Sequence, residues 1–162
     1  MPIWTPHWTV QRPGEPDETF DGNTLVYAGA SAAWELLLGR TAVNSFGAAH
    51  GHIAVGSGSA ALSLRDLDLA GPLKARQPLM PGYPRHDRSN REAAARIVFK
   101  ASFPDGVAEF AWNEVGLANG PSGGRLFNRQ IKALGTKPPG TPGLGWVVVL
   151  TFEITPEAAA SP

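Results

Sequence analysis

No cysteine occurs among the 162 residues. Its absence excludes a disulfide framework, a thiol nucleophile and a thiolate metal site. Excess charge is missing too, since fourteen Lys and Arg balance fourteen Asp and Glu. A neutral chain has no bulk attraction for nucleic acid or for anionic membranes. No apolar run nears the roughly 18 residues that cross a bilayer. The opening "MPIWTPHWTV" lacks a basic stretch followed by an apolar one, so it does not read as a signal peptide. These absences point to a soluble protein made in a cytoplasm, with no membrane and no nucleic acid among its partners.

Turn formers are plentiful: nineteen Gly and fifteen Pro. That share implies many turns but stays below the level of low-complexity disorder. The length suits one domain with a hydrophobic core.

Period-two alternation recurs along the chain. "IWTPHWTVQ" sets Pro6, Trp8 and Val10 against Thr5, His7, Thr9 and Gln11, a half-buried strand in which Pro6 suggests an edge. "TLVYA" reads as a second strand and "GHIAVG" as a third. In "ARIVFKASF", Ile97, Phe99, Ala101 and Phe103 share the inward face. "WVVVLTFEI" carries Trp146, Val148, Leu150, Phe152 and Ile154 on one face, which predicts a central strand. Between these, "KARQPLMPGYPRHDRSNR" reads as an extended, exposed connection.

One helix is predicted, at "SAAWELLLG". Ser31 is placed to cap its start and Gly39 to stop it. Trp34, Leu37 and Leu38 form one apolar stripe, and two turns of helix must pack on a sheet to persist. The expected fold is mainly β: an antiparallel β-sandwich or barrel-like domain with one short α-helix. Residues 1–22 are expected to form an N-terminal arm or edge strand and turn, 23–154 the β-sandwich domain, and 155–162 a tail.

The stretch "AEFAWNEVGLANGPSGGRLFNRQ" is the richest in polar groups. Glu109 and Glu114 sit five apart, and an odd spacing on a strand sends them to opposite faces, against an acid/base pair. Its predicted role is a hairpin in which Glu114 pairs with Arg125 or Arg129. "HGH" puts His50 and His52 on one face, but without a third ligand no metal site is expected. "VGSGSA" lacks the remaining signature of a phosphate loop, and Asp66 and Asp68 lack that of a calcium loop. No catalytic residue, cofactor or metal is therefore expected. Arg85, Arg88 and Arg91 form a small basic patch suited to a partner protein.

The order of pieces resembles a group of small structural proteins of tailed bacteriophages. It runs through Asn23 to Gly29, Ile53 to Gly58, Arg96 to Phe103, Ala108 to Leu117, Ser122 to Arg129 and Leu134 to Ile154. The resemblance implies a virion component made in the host cytoplasm. Its first reading is a capsid decoration protein that binds the major capsid protein and stabilises the shell, often as a trimer. A tail-fibre, baseplate or collar component is the alternative. Trp4 and Trp8, ahead of any evident core, fit a docking arm on a neighbouring subunit; a first core strand fits them equally. A third reading, a carbohydrate- or host-binding module, would use Trp112 or Trp146 as stacking platforms.

Overall fold

The computed structural model describes residues 3–22, 24–86 and 95–155, with only the backbone of 3, 4 and 155. In chain order the elements are β1 (Ile3–Gln11), β2 (Glu18–Asp21), β3 (Thr24–Leu25), α1 (Tyr27–Leu37), β4 (His52–Gly56), β5 (Lys74–Pro78), β6 (Arg85–His86), β7 (Arg96–Phe103), β8 (Ala111–Ala118), β9 (Leu126–Thr136) and β10 (Trp146–Thr155). They form two antiparallel five-stranded sheets, ordered β2-β1-β10-β7-β6 and β3-β9-β8-β4-β5. The sheets pack as a sandwich and do not close into a barrel.

The alternating strands supply the core between the sheets. Phe99, Ala101 and Phe103 of β7 meet Trp146, Val148, Leu150 and Phe152 of β10 there. β10 is central, flanked by β1 and β7. Aromatic rings interlock edge to face: Trp112 lies 4.9 Å from both Phe103 and Trp146, and Phe127 5.3 Å from Phe152. Such pairs add to the stabilisation that burial already gives.

β1 is no arm. It pairs with β10 along its whole length and with β2 from His7 to Val10. Trp8 and Val10 are completely buried. Pro6 lies just past the end of the β2 pairing, where β1 has a neighbour on one side only and a missing N–H is tolerated. Of the two readings of this segment, a core strand is the one its position matches.

Several local expectations are corrected. The supposed strand "TLVYA" is two residues of β3 followed by helix. The acidic turn region contains β2, which zips back onto β1. The Pro-rich connection contributes β5 and β6, whose pairing with β4 and β7 outweighs their weak local signal. In the β8–β9 hairpin, register shifts between Trp112 and Glu114 and between Leu117 and Ala118 break the simple alternation. Trp112 thereby shares the inter-sheet core with Val115 and Leu117, instead of opposing them.

The helix is reversed relative to expectation. Its start is Tyr27, and its first N–H groups are served by loop and strand, since Tyr27 N–H donates to the Leu64 carbonyl. Ser31 therefore caps nothing and instead accepts from Arg125. Gly39 does sit just past the end, at φ 72°. The face turned to the sheet carries Gly29 and Ala32, not the large stripe. Contact with β9 is so close that a Cβ on Gly29 would lie 2.2 Å from the Phe127 carbonyl oxygen. Helix propensity alone would favour alanine there by about 1 kcal/mol. The clash is with backbone and outweighs it. Gly29→Ala is expected to destabilise the fold by about 2 kcal/mol in a urea titration, within the usual range for overpacking.

Candidate docking surface

The polar hairpin forms an internal clamp. Glu114 of β8 and Arg129 of β9 are diagonal neighbours, since Glu114 pairs with Ile131 and Arg129 with Gly116. Both are fully buried, with Arg129 Nε donating to Glu114 Oε2 at 2.7 Å. Arg129 also donates to Asp66 at 2.9 Å and to the Ala60 carbonyl at 3.0 Å. The Glu114 carboxylate accepts from the backbone N–H of Gly58, Ala70 and Gly71 at 2.8–3.0 Å. Burial would raise the Glu114 carboxyl, but the Ala70 and Gly71 N–H groups and Arg129 outweigh it and hold the carboxyl below its ordinary value.

This clamp explains the glycine-rich stretch. Its Gly58 N–H, together with those of Ala70 and Gly71 from the far end of the loop, does cradle an anion, and the anion is the chain's own carboxylate. Gly58 and Gly71 pass so close that a Cβ on Gly71 would lie 2.2 Å from the Gly58 nitrogen. Residues 57–73 are thus bound across the outer face of the second sheet, where Leu69 joins Val26, Ala54, Ala118 and Leu126 in a small second core.

Other candidates resolve into local pairs. Asp68, which lacked a calcium-loop signature in the sequence, is bound by Arg76 at 2.8 Å and Lys74 at 3.0 Å. His52 is buried and its Nδ1 donates to the His50 carbonyl at 2.7 Å. His7 meets Asp21 instead, at 2.6 Å. Among the described residues no three His, Asp or Glu converge as metal ligands. Arg125 lies 3.6 Å from Glu35 of α1, leaving Glu114 to Arg129. Arg85 is exposed on β6, its guanidinium 4.7 Å from the Tyr83 ring centroid. Arg88 and Arg91 lie outside the described residues, as does the side chain of Trp4. Trp8, Trp112 and Trp146 are all buried, so none offers a stacking face to a sugar.

Lys137 was missed by sequence reasoning. It is completely buried, and its Nζ has no hydrogen-bond partner. An unsatisfied buried polar group costs about 1–3 kcal/mol. Lys137→Met, similar in shape, is expected to raise stability by about 1 kcal/mol; a loss in chemical denaturation would show a partner for the amine.

What remains for contact with another molecule is apolar. Among the described residues, eleven large apolar side chains are exposed, and nine fall in the two segments that cover the second sheet, 25–38 and 62–73. The α1 stripe dominates: Tyr27 is 61% exposed, Trp34 65%, Leu37 76% and Leu38 72%. Loop leucines 62, 64, 67 and 73 extend it, joined to the helix by the Tyr27–Leu64 hydrogen bond. Trp34 stands as a ridge between two hollows. One, of about 480 Å³, is lined by Leu25, Ala30, Ala33, Leu37 and Phe127. The other, of about 760 Å³, lies along Tyr27, Ser31, Leu38 and Arg40, with Glu35 at its side. Sequence periodicity found this stripe but assigned it to the interior. No family model, curated protein or solved structure matches the chain.

Proposed function

We propose that this chain is a non-catalytic structural component of a larger assembly, a β-sandwich that docks on protein neighbours through the outer layer of its second sheet. The carrying observation is the outward α1 stripe: four large apolar side chains, all more than 60% exposed, on a helix that packs inward with glycine and alanine. Contiguous apolar surface of this extent marks an interface in a folded protein. The clamp supports the same reading, because the acid and base that looked most like chemistry are spent on holding the loop beneath that surface.

The setting we favour is a tailed-phage virion, with the chain as a decoration protein on the outer shell, in contact with the major capsid protein. Its basis is the resemblance in motif order over residues 23–154. A sandwich that pairs its buried Glu114 and Arg129 internally and presents an apolar outer layer suits a protein that fastens others together. A sugar ligand would need hydrogen-bonding groups beside a stacking ring. The smaller hollow lacks them, whereas the larger sets Ser31, Glu35 and Arg40 beside Tyr27 and Trp34, so a glycan-binding screen with Trp34→Ser as control separates a sugar from a protein ligand.

Mass spectrometry of purified particles, with heads and tails separated before digestion, tests the setting. Abundance in heads comparable to the major capsid protein is expected. A few copies travelling with tails would place the chain in the tail, and absence from both would remove the virion reading.

A further inference from the structure

Resting on the reading of the outer layer as a docking surface, we infer that the neighbour on the α1 stripe is a second copy of this chain, joined across a two-fold axis passing near Trp34 with the two helices antiparallel. The helix is graded along its length. Behind Tyr27 at its start, its first half presents the small Ala30 and Ser31, while its end carries Trp34, Leu37 and, just past the last residue, Leu38. An antiparallel pairing sets the large half of each helix on the small half of the other. The Trp34 ridge of one copy then enters a hollow of its partner, and the relation is reciprocal, as a two-fold contact requires.

Size and charge agree with this occupant. With aromatic side chains burying about 150–250 Å² each, the stripe offers apolar surface of the order of 500 Å². A stable interface takes about 800 Å² from each partner, and Leu25, Ser31, Glu35 and Arg40 border the stripe to supply the remainder. The rim carries both signs, Glu35 and Arg125 beside Arg40, so a two-fold contact can set acid opposite base. Two copies of a chain with zero net charge approach without mutual repulsion. This differs from the trimer that the resemblance implied.

The test uses the full chain in sedimentation equilibrium and, for dilute samples, fluorescence-detected sedimentation, from about 10 nM to 100 μM, since interfaces of this size bind with dissociation constants from μM downwards. A monomer–dimer equilibrium is expected, abolished in Trp34→Ser/Leu38→Ser. Because both side chains are exposed, the variant should keep the circular dichroism and melting of the parent. A parent that stays monomeric throughout, a dimer that survives the double substitution, or an α1-dependent trimer would each overturn the two-fold pairing. Failure of the docking reading is distinguishable: if the parent is monomeric but Trp34→Ser/Leu38→Ser no longer associates with purified virions, the surface stands and only its occupant is wrong.

Discussion

Removal of residues 1–8 is expected to abolish cooperative unfolding. The deletion takes away Trp8, whose ring packs parallel to Phe20 at 6.3 Å and whose indole N–H donates to the Gly22 carbonyl at 3.2 Å. Loss of such a buried tryptophan costs about 3–5 kcal/mol on its own. Against a total stability of about 5–15 kcal/mol, that alone leaves a marginal domain. The deletion also strips β10 of its partner from Leu150 to Thr155, exposing an apolar strand as a new edge. The truncated chain should therefore lose its near-ultraviolet circular dichroism and aggregate on warming. A truncation that melts as sharply as the parent would instead make the segment a detachable arm.

How much of this was legible in the sequence differs by element. β7 and β10 are long and largely alternating, so period two alone located them and most of their inward residues, although Ile154, expected inward, is exposed and Val147, expected outward, is buried. The β8–β9 hairpin and the Glu114–Arg129 pair followed from turn chemistry and spacing. Inside that hairpin simple alternation would oppose Trp112 to Val115 and Leu117, and the bulge that brings them to one face leaves no mark in the pattern. β5 and β6 were hidden by their composition: Lys74, Arg76 and Arg85 make poor-looking strands, and pairing with β4 and β7 decides them.

The helix is the instructive case. Periodicity established that Trp34, Leu37 and Leu38 share a face, and burial of the larger stripe was the natural inference. What overrides it is distance. β9 approaches α1 through the Phe127 backbone, and only residues without bulk fit between them, so Gly29 and Ala32 turn inward. The large side chains are left outside by geometry that no single-sequence pattern records. The exposed apolar surface was thus visible as a stripe and invisible as a surface.

Arg129→Met is expected to cost about 3–5 kcal/mol, the penalty for leaving one member of a buried ion pair without the other. Glu114 would retain its backbone donors but face an apolar side chain, and Asp66 and the Ala60 carbonyl would lose their donor. Because the clamp holds residues 57–73, amide hydrogen exchange at Gly58, Ala70 and Gly71 should accelerate beyond any global effect. Glu114→Gln should destabilise by a similar amount at neutral pH, and the double variant Glu114→Gln/Arg129→Met by less than the two losses added, since each removes the same contact. The pH dependence has a definite sign. A carboxyl held below its ordinary value near 4.5 stabilises the fold above that value, and the contribution is lost as pH falls through the lower, folded value. The stability gap between parent and Glu114→Gln should therefore be constant from pH 8 to about 5 and shrink at more acid pH. A gap that widened on acidification would mean that the carboxyl is held above its ordinary value, with desolvation winning over the three backbone donors and Arg129. Additive losses in the double variant would mean that each residue acts through other partners, and the clamp would then be two independent anchors of the loop.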